Sequence, residues 1–348
     1  MTSKIRVGII GFGFSAKTFH LPFLKVLESY DVRKIYTTQT SAHLTHPSIQ
    51  FTSHLEDVWE DQEIDLIIIT SPNGLHFEHA FKTLSHHKHV VVEKPFVLTE
   101  AEGEELLALA KQHQRILTVF HNRRWDADFL TIQKLMKEGF LGDIYYVESR
   151  YDRFRPEVKK RWKEDDVPGS GILWDLGAHL IDQALLLFGM PAEVFADCAC
   201  QRPFAKATDY FKVLLSYPTG LKVSLGGSNL CLDPGPKFMV HGTKGSFVKF
   251  GVDPQETCLI EHAFKPSSDW GKEPATHSGT LTILDNQGLP LKSTVISEQG
   301  RYQEFYERLA QSIGAQRVPP VDPISSLEVI KLINACHQSA LEKKVMAV

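Results

Sequence analysis

Short apolar runs alternate with longer amphipathic stretches through the first 120 residues of the chain. Continuous runs, such as the one from Leu66 to Ile69, are typical of strands that helices cover on both faces. Five segments are predicted to be strands on this basis: residues 5–10, 33–36, 66–70, 90–93 and 116–120. Strands that alternate with helices in this way predict an α/β fold with a doubly wound parallel sheet, as in a Rossmann domain.

The hydrophobic pattern changes after residue 142. Phe211, Val213 and Leu215 alternate with polar residues, which predicts a sheet with one buried face. Further strands are predicted over residues 145–151, 209–217, 221–227, 237–242 and 246–250. The second half of the chain is therefore expected to hold a different kind of sheet from the first half.

The length of 348 residues favours two domains, because domains of about 100–200 residues are usual. We expect a Rossmann domain over residues 1–122 and a second domain over residues 123–348. A net charge of -4, without blocks of like charge, argues against nucleic acid as a partner. Five cysteines without a Cys-x-x-Cys pair are typical of reduced thiols. No apolar run is long enough for an export signal or a membrane span, so we expect a cytoplasmic protein with no membrane partner.

A glycine-rich turn follows the first predicted strand. Gly11, Gly13 and Ala16 match the pattern GxGxxA of dinucleotide-binding domains. Gly11 would permit the tight turn, Gly13 would let the backbone approach a pyrophosphate, and Ala16 would let the helix pack closely on the strand. Together with Phe14 and Ser15, these residues are predicted to bind the cofactor phosphates. The alternative is an ordinary glycine-rich turn.

The second predicted strand ends without the acidic residue that holds the adenosine ribose in NAD-binding domains. Thr37, Thr38 and Gln39 follow it instead. These neutral side chains offer hydrogen-bond donors and do not repel a 2'-phosphate, which favours NADP over NAD. No arginine stands in this segment, and Lys17 is a candidate for the missing positive charge.

The other strand ends also carry candidate residues, because ligands of such sheets bind beyond the carboxyl ends of the strands. A turn follows the third strand and is expected to line the nicotinamide ribose, although Pro-Asn is also simply a good turn. Lys94 follows the fourth strand, where a substrate would meet the nicotinamide. The polar cluster after the fifth strand combines arginine with tryptophan, which suits a sugar-like ligand. Predicted cofactor contacts at these ends are Ser71, Pro72, Asn73, His76, Glu93, Lys94, Asn122 and Arg123, and predicted substrate contacts are His121, Arg123 and Trp125.

A second candidate group lies in a helix predicted to begin near Trp174. Apolar residues recur there with helical spacing at positions 176, 180, 181, 184, 185 and 188. Asp175, His179 and Asp182 then share one face, because positions three and four apart stack along a helix. Asp175 and His179 are candidates for catalysis and substrate binding. The alternatives are a helix cap for Asp175 and a structural imidazole for His179.

A basic segment precedes this helix, with arginine and lysine residues in the runs 152–155 and 159–162. We interpret it as a solvated loop near the substrate, in which Arg161 and Trp162 are candidate contacts.

The sixteen histidines raise the question of a metal site. His86, His87 and His89 form one group, and His43 and His46 form another. Neither group has the cysteine or carboxylate spacing of a zinc site, so no metal is expected.

Besides the glycine-rich turn, longer motifs stand at residues 93–95, 120–126, 155–158, 174–179 and 253–256. In these motifs the sequence resembles the glucose-fructose oxidoreductase and inositol 2-dehydrogenase family, often called Gfo/Idh/MocA. The resemblance covers the whole chain. The sequence is similar in particular to the branch that contains NADP-dependent scyllo-inositol 2-dehydrogenase. The resemblance implies that Lys94, Asp175 and His179 form the catalytic group, and that the second domain is an α+β domain with a large, mostly antiparallel open sheet. One departure is Thr38-Gln39, where that branch tends to carry Ser-Arg.

The resemblance implies an oxidoreductase that transfers a hydride between NADP(H) and the CH–OH group or ketone of a polyol or sugar, with inositol-type rings as the first substrates to try. His179 is the expected general base, because an imidazole with an ordinary pKa of about 6.5 can accept the hydroxyl proton at neutral pH. Lys94 would stabilise negative charge on the substrate oxygen, and Asp175 would orient the hydroxyls or the base.

Two alternative functions stay open: a cofactor-binding regulator without turnover, and a nicotinamide-dependent glycosidase. The resemblance further implies a homodimer or homotetramer that forms through the sheet of the C-terminal domain.

Overall fold

The computed structural model describes residues 4–39, 46, 48–315 and 317–348. The strands, in chain order, are β1 (Ile5–Ile10), β2 (Tyr30–Tyr36), β3 (Gln50–Thr52), β4 (Leu66–Ile69), β5 (His89–Val92), β6 (Leu117–Val119), β7 (Ile144–Arg150), β8 (Glu193–Ala199), β9 (Tyr210–Ser216), β10 (Lys222–Ser228), β11 (Phe238–Gly242), β12 (Gly245–Lys249), β13 (Gly279–Leu284), β14 (Pro290–Val295) and β15 (Met346–Ala347).

Helices connect many of these strands, and two short π-helical segments, Ala16–His20 and Leu173–Gly177, run directly into α-helices. The α-helices, in chain order, are α1 (Leu21–Val26), α2 (Glu56–Trp59), α3 (His76–Ser85), α4 (Glu100–Gln112), α5 (Ala127–Lys137), α6 (Ala178–Phe188), α7 (Gln255–His262), α8 (Gln303–Ala315) and α9 (Pro323–Glu342). Among the described residues, no helix has the length and apolar character that crossing a membrane requires.

The chain divides into two compact units, which we call the first and the second unit. The first unit comprises Met1–Asn122, Gln255–Trp270 and Tyr302–Leu327. The remaining residues, from Arg123 onward, form the second unit. The boundary after Asn122 coincides with the expected one. The expected continuous second domain over residues 123–348 differs from the structure, because two later segments return to the first unit.

The sheet of the first unit confirms the predicted doubly wound parallel arrangement. Within the described residues its strand order is β3-β2-β1-β4-β5-β6, and every pair in it is parallel. Ile9, Ile68 and Val91 on the three central strands are fully buried, as continuous apolar runs predict. The sequence pattern missed β3, which is only three residues long and has no fully buried position.

An aromatic cluster joins the late segments to the first unit. The ring of Phe23 on α1 has its centroid 4.6 Å from that of Phe264 and 6.1 Å from that of Tyr306. Tyr30 at the start of β2 donates a hydrogen bond to the Tyr306 carbonyl oxygen at 2.6 Å. Phe23 and Tyr306 are fully buried. Hydrophobic burial therefore holds residues 255–270 and 302–327 in the first unit, a long-range contact that local periodicity does not reveal.

The sheet of the second unit confirms the predicted large and mostly antiparallel architecture. Within the described residues its order is β14-β13-β12-β11-β7-β10-β9-β8-β15, and only the pair β7 and β10 is parallel. Phe211, Val213 and Leu215 on β9 are buried, as their alternation predicts. The outer strands β8, β13, β14 and β15 were not predicted. β14 shows why, since nearly all its residues are exposed and it carries no alternating pattern.

Candidate functional site

The glycine-rich turn after β1 has the backbone geometry that its sequence predicts. Gly11 has a φ of +103°, and a Cβ atom there would lie 2.8 Å from the side-chain oxygen of Thr70. At Gly13, a Cβ atom would meet no heavy atom within 4 Å. Ala16 is fully buried, and Phe14 is exposed. The open backbone at Gly13 fits a dinucleotide, because a pyrophosphate can approach amides that no side chain covers.

A cation lies at the carboxyl end of β2. The Nζ atom of Lys17 is 3.3 Å from Oε1 of Gln39 and 4.4 Å from the centroid of the Phe12 ring. Gln39 donates a side-chain hydrogen bond to the Phe12 carbonyl at 3.1 Å, and its backbone amide donates to the Thr37 hydroxyl at 3.1 Å. Thr37 is buried and Thr38 is exposed. Among the described residues, the ammonium group of Lys17 therefore lies beside the neutral side chain of Gln39 at this end of the sheet.

His76 joins the loops that follow β4 and β5. Its Nδ1 atom lies 2.7 Å from the Pro95 carbonyl oxygen, and its Nε2 atom lies 3.0 Å from the Ser71 carbonyl oxygen. His76 is 1% exposed, and Asn73 is also buried, whereas Pro72 is exposed. His76 thus connects two loops at the edge of the sheet through these hydrogen bonds. Direct contact between His76 and a cofactor stays a prediction.

Glu93, at the end of β5, is the centre of a buried hydrogen-bond network. Its Oε1 atom lies 2.9 Å from Nε2 of His20 and also accepts a hydrogen bond from the Ser15 hydroxyl. Its Oε2 atom accepts a hydrogen bond from the backbone amide of Lys94 at 3.0 Å. The Nδ1 atom of His20 forms a hydrogen bond with the Tyr306 hydroxyl. The turn of the Glu-Lys-Pro motif is thereby tied to the helix that follows the glycine-rich turn.

The charge of Glu93 is stabilised by these partners. Burial alone would raise the pKa of this carboxyl group. The hydrogen bond and charge of His20, the Ser15 hydroxyl and the nearby Lys94 charge outweigh burial and lower the pKa to about 2. Glu93 is therefore an anion throughout the physiological range, and half-buried Lys94 follows it directly.

The polar segment after β6 contains the point in the chain where the first unit ends and the second begins. His121 and Asn122 belong to the first unit and are 1% and 5% exposed. Arg123 belongs to the second unit, where its guanidinium donates to Asp126 at 3.4 Å. Trp125 is 5% exposed. The predicted contacts of these residues with cofactor or substrate stay predictions.

Asp175 lies in the π-helical segment before α6, and its carboxylate faces two cations. Oδ1 accepts a hydrogen bond from Lys163 at 2.9 Å, and Oδ2 lies 3.8 Å from the guanidinium of Arg153. The side chain of Asp175 is 23% exposed. Trp162, a predicted substrate contact, is half-buried, and its ring centroid is 5.6 Å from Nζ of Lys163. A partly exposed carboxylate of this kind can accept further hydrogen bonds from the hydroxyl groups of a ligand.

His179 lies four residues after Asp175, at the start of α6, and is 5% exposed. Asp182, which the sequence pattern places on the same face, accepts two hydrogen bonds from Arg124 at 2.9 and 2.6 Å. Gln183 donates to the Arg123 carbonyl at 2.8 Å. The face of α6 that carries His179 is therefore fixed within the second unit by charged and polar contacts.

A buried arginine supports the loop over residues 153–165. Arg202 donates hydrogen bonds to Glu164 at 2.5 Å and to Asp209 at 2.9 Å, and it also donates to two backbone carbonyls of the loop. The side chains of Arg202 and Asp209 are 1% and 0% exposed. Arg161, a predicted substrate contact, donates to the same Glu164 at 2.8 Å. Lys163 precedes Glu164 in the chain. Because Arg202 holds Glu164, it also helps to fix Lys163, which donates to Asp175.

Three cations surround the ring of Tyr151 in the second unit. Arg123, Lys237 and Arg153 lie 4.8, 5.1 and 5.8 Å from the ring centroid. Lys237 is buried, and burial lowers its pKa to about 8 against the opposing effect of nearby carboxylates. Since Arg153 also faces Asp175, this cationic cluster continues to the candidate catalytic carboxylate.

No group of three or more His, Cys, Asp or Glu side chains is placed to hold a metal ion in the part of the chain that the structure describes. His86 stacks on Trp59, and the Nδ1 atoms of His87 and His113 are 2.8 Å apart on the surface. His43 lies outside the described residues.

Several residues of these groups escaped the sequence reasoning. The sequence could have indicated His20, because it lies four residues after Ala16 and therefore shares a helix face with this motif residue. Tyr306 has no such signal, since it lies more than 200 residues away from its partner. Arg202 and Lys237 are buried charged residues, and sequence alone does not distinguish them from surface ones.

Two family profiles match the chain. The oxidoreductase family profile described as an NAD-binding Rossmann fold matches residues 5–121, and the profile described as the C-terminal alpha/beta domain of the oxidoreductase family matches residues 133–348. The chain therefore belongs to the Gfo/Idh/MocA family of oxidoreductases. The prediction of an oxidoreductase with a nicotinamide-binding Rossmann domain is confirmed.

Relatives and solved structures agree with this assignment. The chain is 41% identical to scyllo-inositol 2-dehydrogenase (NADP(+)) IolW of Bacillus subtilis, over 98% of this chain and 95% of IolW. It is 40% identical to the uncharacterized oxidoreductase YdgJ of Escherichia coli, over 99% of both chains. The solved structure of the oxidoreductase yvaA from Bacillus subtilis has a TM-score of 0.95 and 39% identity, over 99% of this chain and 100% of that one.

Proposed function

We propose that this protein is an NADP(H)-dependent dehydrogenase that interconverts the CH–OH group and the ketone of a polyol or sugar, with scyllo-inositol and its inosose as the first substrates to test. The observation that carries the proposal is Lys94, which follows the buried anion Glu93 at the same sheet edge as the open backbone of Gly13. The name of the relative IolW, which specifies both NADP and scyllo-inositol, supports it.

The proposed preference for NADP rests on the end of β2. Residues 36–47 contain no Asp or Glu, and Lys17 lies against Gln39. A 2'-phosphate would meet the ammonium group of Lys17 and the hydroxyl groups of Thr37 and Thr38, and it would meet no carboxylate of residues 36–47. The 2'-hydroxyl of NAD would gain little from this ammonium group, because it carries no charge. Phe14, Ser71, Pro72, Asn73 and His76 remain the proposed surroundings of the rest of the cofactor.

When bound, the nicotinamide supplies the hydride chemistry, and the residues of the chain supply position and charge. We propose that His179 accepts the proton of the substrate hydroxyl, since an imidazole exchanges protons near neutral pH. Lys94 stabilises the negative charge that develops on the same oxygen. Asp175, whose carboxylate contacts Lys163 and Arg153, accepts hydrogen bonds from the neighbouring hydroxyl groups of the substrate and orients the substrate ring. His121, Arg123, Trp125, Arg161 and Trp162 are proposed to complete the surroundings of the substrate.

Two measurements test this function. Fluorescence titration with NADPH and NADH is expected to show tighter binding of NADPH, and Lys17→Met is expected to weaken NADPH about tenfold and to leave NADH unchanged. An absorbance screen at the reduced-nicotinamide band with inositols, inososes and aldoses should then identify the substrate. Equal binding of both cofactors would contradict the NADP preference. Binding without any turnover would favour a regulator, and turnover of a glycoside without net absorbance change would favour a glycosidase.

We also propose that the protein acts in the cytoplasm as a homodimer or homotetramer that assembles through the large sheet. Phe195 on β8 and Leu214 on β9 are paired across the strands and are each 37% exposed, an apolar pair that a second copy could cover. Sedimentation analysis of the wild type and of a Phe195→Glu variant tests this assembly. A monomeric wild type would contradict it.

A further inference from the structure

We infer that His20 is a positioning residue that acts through Glu93 to hold Lys94 at the end of β5. The inference rests on the proposed function of Lys94 as the group that stabilises negative charge on the substrate oxygen. The carboxylate of Glu93 accepts a hydrogen bond from the backbone amide of Lys94 at 3.0 Å, and it lies 2.9 Å from His20. The position of His20 therefore determines where this carboxylate sits.

An arrangement in which Tyr306 donates to His20 and His20 donates to Glu93 satisfies the polar contacts of the network. The Tyr306 hydroxyl is buried, and burial raises the pKa of this group well above its ordinary value, so it keeps its proton. The Tyr306 hydroxyl then donates to Nδ1 of His20, and Nε2 of His20 donates to Oε1 of Glu93. The Ser15 hydroxyl donates to the same Oε1 atom. In this arrangement the imidazole forms a hydrogen bond with each of its two neighbours, and the negative charge stays on Glu93.

Three distant parts of the chain meet in this network. His20 ends the π-helical segment after the glycine-rich turn, Glu93 follows β5, and Tyr306 lies on α8. His20 is fully buried, and its ring centroid is 4.5 Å from that of Phe120. Packing on every side leaves the imidazole little freedom to rotate. A residue that only filled space would not need two hydrogen bonds of defined direction.

The charge on Glu93 also acts on Lys94. An anion next to an ammonium group favours its charged form. If His20 is removed, Glu93 loses its principal hydrogen-bond donor and can turn or take up a proton. Lys94 would then lose both a fixed neighbour and part of the charge that keeps it protonated.

The test compares His20→Phe with the conservative variant His20→Gln, whose amide can still donate to Glu93. His20→Phe is expected to lower kcat about tenfold and to change the Kd for NADPH by less than about twofold. His20→Gln is expected to recover most of the rate. A second readout does not need turnover. The rate at which trinitrobenzenesulfonate modifies Lys94, followed by peptide mass spectrometry across a pH series, should shift its midpoint downward by about one pH unit in His20→Phe.

Exposed Lys111 in the same digest is the internal control, and its labelling midpoint should stay unchanged. If the wild type turns over no polyol or sugar, the proposed function fails, while the labelling still decides the role of His20. Wild-type labelling of Lys94 in folded His20→Phe would overturn the inference. If His20→Phe does not fold, Tyr306→Phe replaces it, with a smaller downward shift expected and an unchanged midpoint as the overturning result.

Discussion

Two carboxylates of the proposed site have opposite surroundings. Glu93 in the first unit is buried, and its oxygens accept hydrogen bonds from Ser15, His20 and a backbone amide. Asp175 in the second unit is 23% exposed and faces the long side chains of Lys163 and Arg153. The first carboxylate is enclosed by the protein, and the second is open to solvent over part of its surface. Burial and donor type, rather than the acidic group itself, separate a carboxylate that is fixed in the interior from one that a ligand can reach.

The largest effect is expected at His179, which follows Asp175 by one helical turn. His179→Ala should lower kcat about 10²- to 10⁴-fold, because the alcohol proton would lose its acceptor, while NADPH binding stays within about twofold. Stopped-flow or steady-state absorbance with the substrate from the screen measures this. The exposed His262→Ala is the matched control and should leave kcat unchanged. Near-normal turnover of His179→Ala would assign the proton transfer elsewhere.

A second prediction concerns the support of the loop beside Asp175. Arg202→Met should lower the free energy of unfolding by about 3–5 kcal/mol, because Glu164 and Asp209 would become buried carboxylates without their common partner. Urea denaturation measures this loss. Lys206→Met is the matched control, since its ion pair with Asp165 is exposed and is expected to contribute about 0–1 kcal/mol.

Arg202→Met should also raise the KM for substrate more than the Kd for NADPH, because the loop belongs to the second unit. Equal destabilisation by Arg202→Met and Lys206→Met would mean that the buried ion pairs do not support the loop.

Protonation of Glu93 is expected to make the free energy of unfolding depend on pH in the acid range. Its pKa is about 2 in the folded protein and about 4.5 in the unfolded chain, so the unfolded state binds the proton first. The resulting stability, about 3 kcal/mol, is present above pH 4.5 and is lost as the pH falls towards 2. The difference in urea midpoint between wild type and Glu93→Gln should therefore be largest near pH 6 and shrink below pH 4.5.

The exposed Glu60→Gln is the control, and it should track the wild type at every pH. A Glu93→Gln curve parallel to the wild-type curve would contradict the proposed network around this carboxylate.

The smallest effect is expected at Lys163. Lys163→Met removes one of the two cations that face Asp175, and its side chain is 37% exposed, so solvent already screens the pair. We expect the KM for substrate to rise about two- to fivefold, with kcat nearly unchanged. Exposed Lys160→Met in the same loop should change neither constant. A large loss of kcat in Lys163→Met would give this lysine a role in the chemistry itself.

The sequence predicted the local features of the first unit well. Continuous apolar runs located β1, β4 and β5, and the order of Gly11, Gly13 and Ala16 identified the turn that Gly11 closes with its positive φ. These features depend on neighbouring residues, which is the information that periodicity and motif spacing contain. The residues at the strand ends, including Lys94, follow from the same logic, because parallel strands share one carboxyl edge.

The contacts between distant segments were not predictable in the same way. Nothing near Tyr306 in the chain indicates a hydrogen bond to His20, and the charged character of Arg202 suggests a surface residue. Arg161 stays a predicted substrate contact, and the sequence did not reveal that it pairs with Glu164 or that Lys163 pairs with Asp175. Adjacent residues of a loop point in different directions, and only the folded backbone decides which one faces the helix.

The return of Tyr302–Leu327 to the first unit bears on how this protein can be dissected. A recombinant fragment that ends at Asn122 would carry the glycine-rich turn and Lys94 but would lack Tyr306, the hydroxyl partner of His20. Exchange of nucleotide-binding halves between relatives should therefore transfer α7 and α8 together with the N-terminal segment. In this protein the first unit is made from three segments of the chain. A chimera that takes only the N-terminal segment would contain His20 without the Tyr306 hydroxyl to which it hydrogen-bonds.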